Sequence, residues 1–123
     1  MNTNEKGNLG LLKIMQDLYS QQYHCFTPFD DYSPVDLIAM SPTGKLFRLQ
    51  VKYRTLMKTR SGYELPARSV VNGKSVPIDK TLIDGWAVYL SDIDKIIYYP
   101  IEKMGGSMCK YLKEDDSVIL GDW

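Results

Sequence analysis

Residues 45–54, KLFRLQVKYR, alternate in character at every second position, so that Phe47, Leu49, Val51 and Tyr53 fall on one side and Arg48, Gln50, Lys52 and Arg54 on the other. A period of two is that of a β-strand. The stretch is preceded by Pro42-Thr43-Gly44, residue types that make turns, and before that by residues 35–41, which are mostly apolar except for the carboxylate of Asp36. An apolar run of that length is expected of a strand covered on both faces. Two strands joined by a short turn form an antiparallel hairpin. Counting outward from the turn sets Asp36 opposite Leu49 or Gln50. Asp36, Gln50 and Lys52 are therefore expected to converge at one end of the hairpin.

Ahead of the hairpin, Leu9, Leu12, Ile14, Met15, Leu18 and Tyr19 recur at helical spacing, and Thr3 or Asn4 can cap an amphipathic helix that has Glu5 in its first turn and ends near Gln22. Gly7 and Gly10 weaken that helix by about 1 kcal/mol each relative to alanine, which predicts a close neighbour on that side. Residues 23–27 read as a short strand ended by Pro28. Beyond the hairpin, residues 62–66 and 75–78 are predicted as short strands around the Asn72-Gly73 turn. Residues 86–90 and 95–101 are predicted as clearer strands joined by an acidic turn at 91–94. From Glu102 onward a short helix or irregular tail is expected, and Tyr89, Tyr98 and Tyr99 are read as sheet packing.

A chain of 123 residues with 44% hydrophobic and 24% charged residues suits one globular domain, 1–123, and contains too much apolar sequence for disorder. No apolar run approaches the roughly 20 residues of a membrane span and no leader opens the chain, so a cytoplasmic protein of a bacterium or of a phage-infected cell is expected. His24 is the sole histidine. The two cysteines, Cys25 and Cys109, are far apart and are read as plain buried residues. Zinc sites and Ser-His or Cys-His catalysis therefore lack parts. The net charge is zero but unevenly distributed: residues 45–74 hold eight cations against the single anion Glu64, a net of +7, and acidic residues gather on either side. A basic middle of this kind suits one face presented to nucleic acid. Tyr53, Arg54, Lys58, Arg60, Arg68 and Lys74 are the candidate DNA contacts.

Hydrolysis of a phosphodiester with a divalent cation requires oxygen ligands for the ion, a cationic group near the phosphate, and a placed water. Asp36 offers a carboxylate, Gln50 an amide oxygen, the Val51 main chain a carbonyl, and Lys52 an ammonium. All candidate ligands are oxygen, which favours Mg²⁺, with Mn²⁺ as a substitute, over zinc.

Pro34-Val35-Asp36 followed by Gln50-Val51-Lys52 resembles the signature of the PD-(D/E)xK nucleases. Lys6-Gly7, Pro28 with Asp30 or Asp31 and Ser33, residues 86–89 and Tyr98-Tyr99-Pro100 extend the similarity over roughly residues 4–101. They point to the branch of phage- and intron-encoded homing endonucleases of cyanobacterial type and, more distantly, archaeal Holliday-junction resolvases. The resemblance implies an α/β (α+β) fold with a central mixed sheet, flanking helices and a restriction-endonuclease-like core. It implies that Asp36 is the principal metal ligand, that Lys52 orients the attacking water and stabilises the phosphate, and that Glu5 is the helix-borne acid completing the site. Gln50 departs from the family pattern, which has Asp or Glu there. The implied activity is a metal-dependent DNA endonuclease of homing type acting on double-stranded or branched DNA as a homodimer or homotetramer. A junction resolvase and a non-catalytic DNA-binding or assembly protein of the same fold are the alternatives.

Overall fold

The computed structural model describes residues 1–30, 32–57 and 61–123, the side chain of Val71 excepted. A five-stranded mixed sheet organises the chain. Its strands are β1 (His24–Phe26), β2 (Leu37–Met40), β3 (Leu46–Arg54), β7 (Gly85–Leu90) and β8 (Lys95–Pro100), lying side by side in that order. The β3–β7 pair is parallel and all other neighbours are antiparallel. This is the mixed sheet of a restriction-endonuclease-like core.

The expected hairpin is present, with β2 and β3 joined by a turn in which Gly44 has φ +90°. The connection from β3 to β7 contains β4 (Tyr63–Pro66), β5 (Arg68–Val71) and β6 (Lys74–Pro77). Asn72 and Gly73, at φ 51° and 76°, make a two-residue hairpin turn between β5 and β6. The partner of the 75–78 stretch is therefore Arg68–Val71, a strand that the sequence pattern does not mark. The 62–66 stretch instead pairs with β9 (Cys109–Leu112), in a region expected to be helical or irregular.

Helix α1 (Thr3–Ser20) lies across one face of the sheet. Its N-cap is Asn2, earlier than Thr3 or Asn4, and Asn2 and Glu5 bond each other's main-chain N–H reciprocally. Gly10, Ile14 and Leu18 form its buried stripe, and Ile14 and Leu18 join Leu37, Leu49, Ala87 and Tyr89 in one core. Burying Ile14 and Leu18 contributes about 1.5–3 kcal/mol each, more than the helix loses at Gly10. Leu12 and Tyr19, expected on the apolar side, are 62% and 74% exposed. A Cβ at Gly10 would lie 3.5 Å from Tyr53 Cβ and 3.8 Å from the Lys52 carbonyl oxygen, so α1 rides in van der Waals contact with β3.

The other face carries a second core, in which Trp86, Val88, Leu90, Ile97 and Tyr99 meet Tyr63, Leu65, Ile83, Met104 and Leu112. Among the described residues, strands and loops cover this face, because α2 (Ile101–Met104) is a single turn. Every residue of β7 is buried, as in a strand enclosed on both sides. Cys25 and Cys109 are partly exposed and not fully buried as expected. No helix among the described residues is long and apolar enough to cross a membrane.

Candidate active site

Asp36 stands immediately before β2, where the β2–β3 ladder ends. Its main-chain N–H donates to the Leu49 carbonyl at 2.9 Å, and its Oδ2 accepts from the Val51 N–H at 2.8 Å. The carboxylate thereby replaces the next rung of the ladder and is fixed at the edge of β3. Because the N–H and C=O of one strand residue point to the same edge, the Val51 carbonyl lies on that edge too, past the end of β2. The chain reaches Asp36 through two local turns, Tyr32 N–H to Asp30 Oδ1 at 3.1 Å and Val35 N–H to Ser33 Oγ at 3.0 Å.

Two cavities meet at Asp36. One, of about 450 Å³, runs between α1 and residues 27–30 and 33–36, with Gly7, Asn8, Leu11, Asp36 and Val51 on its wall. The other, of about 510 Å³, is bounded by Asp36, Gln50, Lys52, Glu64, Arg68 and Ser75 among others. The hairpin geometry thus brings Asp36, Gln50, Val51 and Lys52 together, as the spacing predicted.

Burial raises the Asp36 pKa, against the lowering effects of the Val51 N–H and the Lys52 charge. Burial also lowers the Lys52 pKa; the neighbouring Arg54 cation lowers it further and Asp36 opposes the shift. Neither group is comfortable in its charged form, and the Lys52 ammonium has no hydrogen bond or ion pair to a described residue. A lysine shifted downward in this way gives up its proton at a lower pH than an exposed one.

Gln50 is only 5% exposed, and its Oε1 accepts from Trp86 Nε1 at 3.0 Å. The amide oxygen assigned to a cation from the sequence thus already has an indole partner. Glu5 is held in the helix cap, its Oε1 accepting from the Asn2 N–H at 3.0 Å, and it lines neither cavity. Asn8, one turn farther along, is the polar helix residue that does.

The expected DNA contacts divide. Arg54 is turned inward, donating from Nε to the Glu64 carbonyl at 2.7 Å and from Nη1 to the Tyr53 carbonyl at 2.9 Å. Tyr53 packs against Tyr89, with ring centroids 5.8 Å apart. Arg68 lines the larger cavity and is steadied by Ser75, to which its Nε donates at 2.8 Å and its Nη2 at 2.9 Å. Lys74 is exposed beside the β5–β6 turn. Lys58, Arg60 and Asp31 lie outside the described residues.

Sequence reasoning missed Asn8, Glu64 and Trp86. Asn8 precedes Leu11 by three, a helical spacing that could have marked it, and a buried tryptophan on a strand always raises the question of what accepts its N–H. Glu64 carried one signal, being the only acid within the basic stretch.

No group of three or more His, Cys, Asp or Glu side chains among the described residues is arranged to hold a metal. The oxygen set of Asp36 and Val51 nevertheless fits a small hard cation, which keeps several waters and commonly takes one or two carboxylates together with phosphate oxygens.

A family model described as PD-(D/E)XK endonuclease matches residues 1–119. Among solved structures, that of the bacterial homing endonuclease I-Ssp6803I superimposes with a TM-score of 0.78 at 17% identity, covering 98% of this chain and 84% of that one. At that identity the likeness concerns the fold. No curated protein sequence matches the chain.

Proposed function

Because the chain belongs to the PD-(D/E)XK endonuclease family, we propose that it is a divalent-metal-dependent DNA endonuclease of the homing type, with its site at Asp36, Val51 and Lys52. The observation that carries this reading is the placement of the Asp36 carboxylate on the β3 edge by the Val51 N–H, in one cavity wall with Lys52. Mg²⁺, or Mn²⁺ in its place, would be held by the Asp36 carboxylate and the Val51 carbonyl, and when bound supplies Lewis acidity and lowers the pKa of water. Lys52 would orient the attacking water and offset charge on the phosphate. Arg68, on the wall of that cavity, and Lys74, exposed beside the β5–β6 turn, bind the DNA backbone. Lys58 and Arg60 belong to the same basic stretch and are proposed to share that role. Glu5 would reach the cation only by giving up its hydrogen bond from the Asn2 N–H.

One site per chain cuts one strand, so a double-strand break calls for a homodimer or homotetramer. A second reading, a DNA-binding protein of this fold without cleavage, is favoured by one observation: the Gln50 oxygen and the Glu5 carboxylate are both already engaged. Incubation with plasmid, linear duplex and four-way-junction DNA in Mg²⁺ or Mn²⁺ decides between them. Nicking or cleavage that is lost in Lys52→Ala supports the nuclease. Cleavage confined to junctions would reassign it as a resolvase, and binding without cleavage would favour the second reading.

A further inference from the structure

We propose that Trp86 is a positioning residue that makes Gln50 a hydrogen-bond donor to the DNA phosphate, in place of a ligand to the cation; the inference rests on the nuclease reading above. An indole N–H can only donate, so the Gln50 atom 3.0 Å from Trp86 Nε1 is the amide oxygen. The pairing is built into the sheet, because Gln50 and Trp86 are direct partners in the parallel β3–β7 register. Trp86 is fully buried, so turning the amide around would strand its N–H away from water as well as set two donors face to face. The orientation is therefore fixed from below.

With the oxygen turned toward Trp86, the amide NH₂ is the end of Gln50 that has no hydrogen-bond partner among the described residues. Among the described residues no fully buried side-chain polar atom lacks a partner, so this NH₂ retains contact with the cavity that Gln50 shares with Asp36 and Lys52. An NH₂ group offers a cation no lone pair. It offers an anionic oxygen a donor. A carboxylate at position 50 would accept from the same indole but would present a second negative charge to an incoming phosphate. The amide presents a neutral donor beside the Lys52 ammonium, and leaves Asp36 as the carboxylate of this strand pair.

The test measures two affinities separately. Mn²⁺ binding without DNA is followed by calorimetry, and binding of a mixed-sequence DNA duplex in Ca²⁺ by fluorescence anisotropy, with a gel confirming intact DNA. Gln50→Met is expected to leave Mn²⁺ affinity within about twofold while weakening DNA binding about tenfold, the scale of one hydrogen bond to a charged group. Trp86→Phe, which keeps a ring but loses the donor, is expected to weaken DNA binding in the wild-type background and to have no further effect in Gln50→Met, since its influence passes through Gln50. Thermal melts show whether each variant is folded. Loss of Mn²⁺ affinity in Gln50→Met would overturn the proposal in favour of a metal ligand. Unchanged DNA affinity in that variant would overturn it as well, and so would an equal Trp86→Phe effect in both backgrounds. Asp36→Asn is measured alongside: if it fails to weaken Mn²⁺ binding, the underlying site assignment falls, independently of Gln50.

Discussion

Asp36 carries two duties, accepting the Val51 N–H at 2.8 Å and presenting a carboxylate, and two substitutions separate them. Asp36→Asn keeps an acceptor oxygen at the same place and removes the charge. Asp36→Ala removes both, leaving the Val51 N–H without its acceptor at a cost of about 1–3 kcal/mol, toward the lower end because Val51 is only half-buried. Burial raises the Asp36 pKa, which means that the fold disfavours its ionised form. Metal-free Asp36→Asn should therefore melt at or above wild type at neutral pH, and Asp36→Ala below Asp36→Asn. At roughly 3–5 °C per kcal/mol for a domain of this size, the gap between the variants is about 3–10 °C. Circular-dichroism melts in EDTA measure it, and a plasmid assay in Mg²⁺ should show both variants inactive. If the two melt together, the ladder-end bond does not hold the carboxylate; if either cuts DNA at the wild-type rate, Asp36 is not the ligand.

The raised Asp36 pKa also fixes a sign for pH. A proton on Asp36 favours the folded state, a contribution complete below the unfolded value near about 4 and lost as pH rises through the folded value. The melting temperature of metal-free wild type relative to Asp36→Asn should therefore fall from roughly pH 4 toward neutrality, and a flat difference would remove burial as the cause. Gly85 opens β7 where a Cβ would collide with the Tyr99 carbonyl oxygen and the Trp123 ring, its Cζ3 lying 2.6 Å away. Gly85→Ala should cost about 1–3 kcal/mol as overpacking, and an unchanged denaturation midpoint would contradict that packing.

The elements legible in the sequence were those whose periodicity is local and whose caps or turns are chemically marked: α1, the β2–β3 hairpin, and β7–β8. Strand β9 was not legible, because four residues at Cys109–Leu112 carry no alternation that outweighs the neighbouring glycines, and their partner at Tyr63–Pro66 is distant in sequence. The proximity of Asp36, Val51 and Lys52 followed from counting along the hairpin. The state of Glu5 did not follow from family likeness, although Asn2-x-x-Glu5 has the spacing of a reciprocal helix cap. The state of Gln50 was hidden for another reason: its neighbour comes from a parallel strand, whose register no turn announces.

That difference in sequence distance also orders events as the chain folds. Asp36 and Val51 are separated by 15 residues and joined through a tight turn, whereas Gln50 and Trp86 are 36 apart and meet across a parallel crossover. Closing the longer loop costs only about 0.8 kcal/mol more, but parallel pairing is slow and a hairpin forms in about 1–10 μs. The carboxylate and the lysine are therefore near each other in a nascent hairpin before the indole arrives to orient the amide. Substitutions in the Pro42-Thr43-Gly44 turn should slow folding, while Trp86→Phe should chiefly speed unfolding.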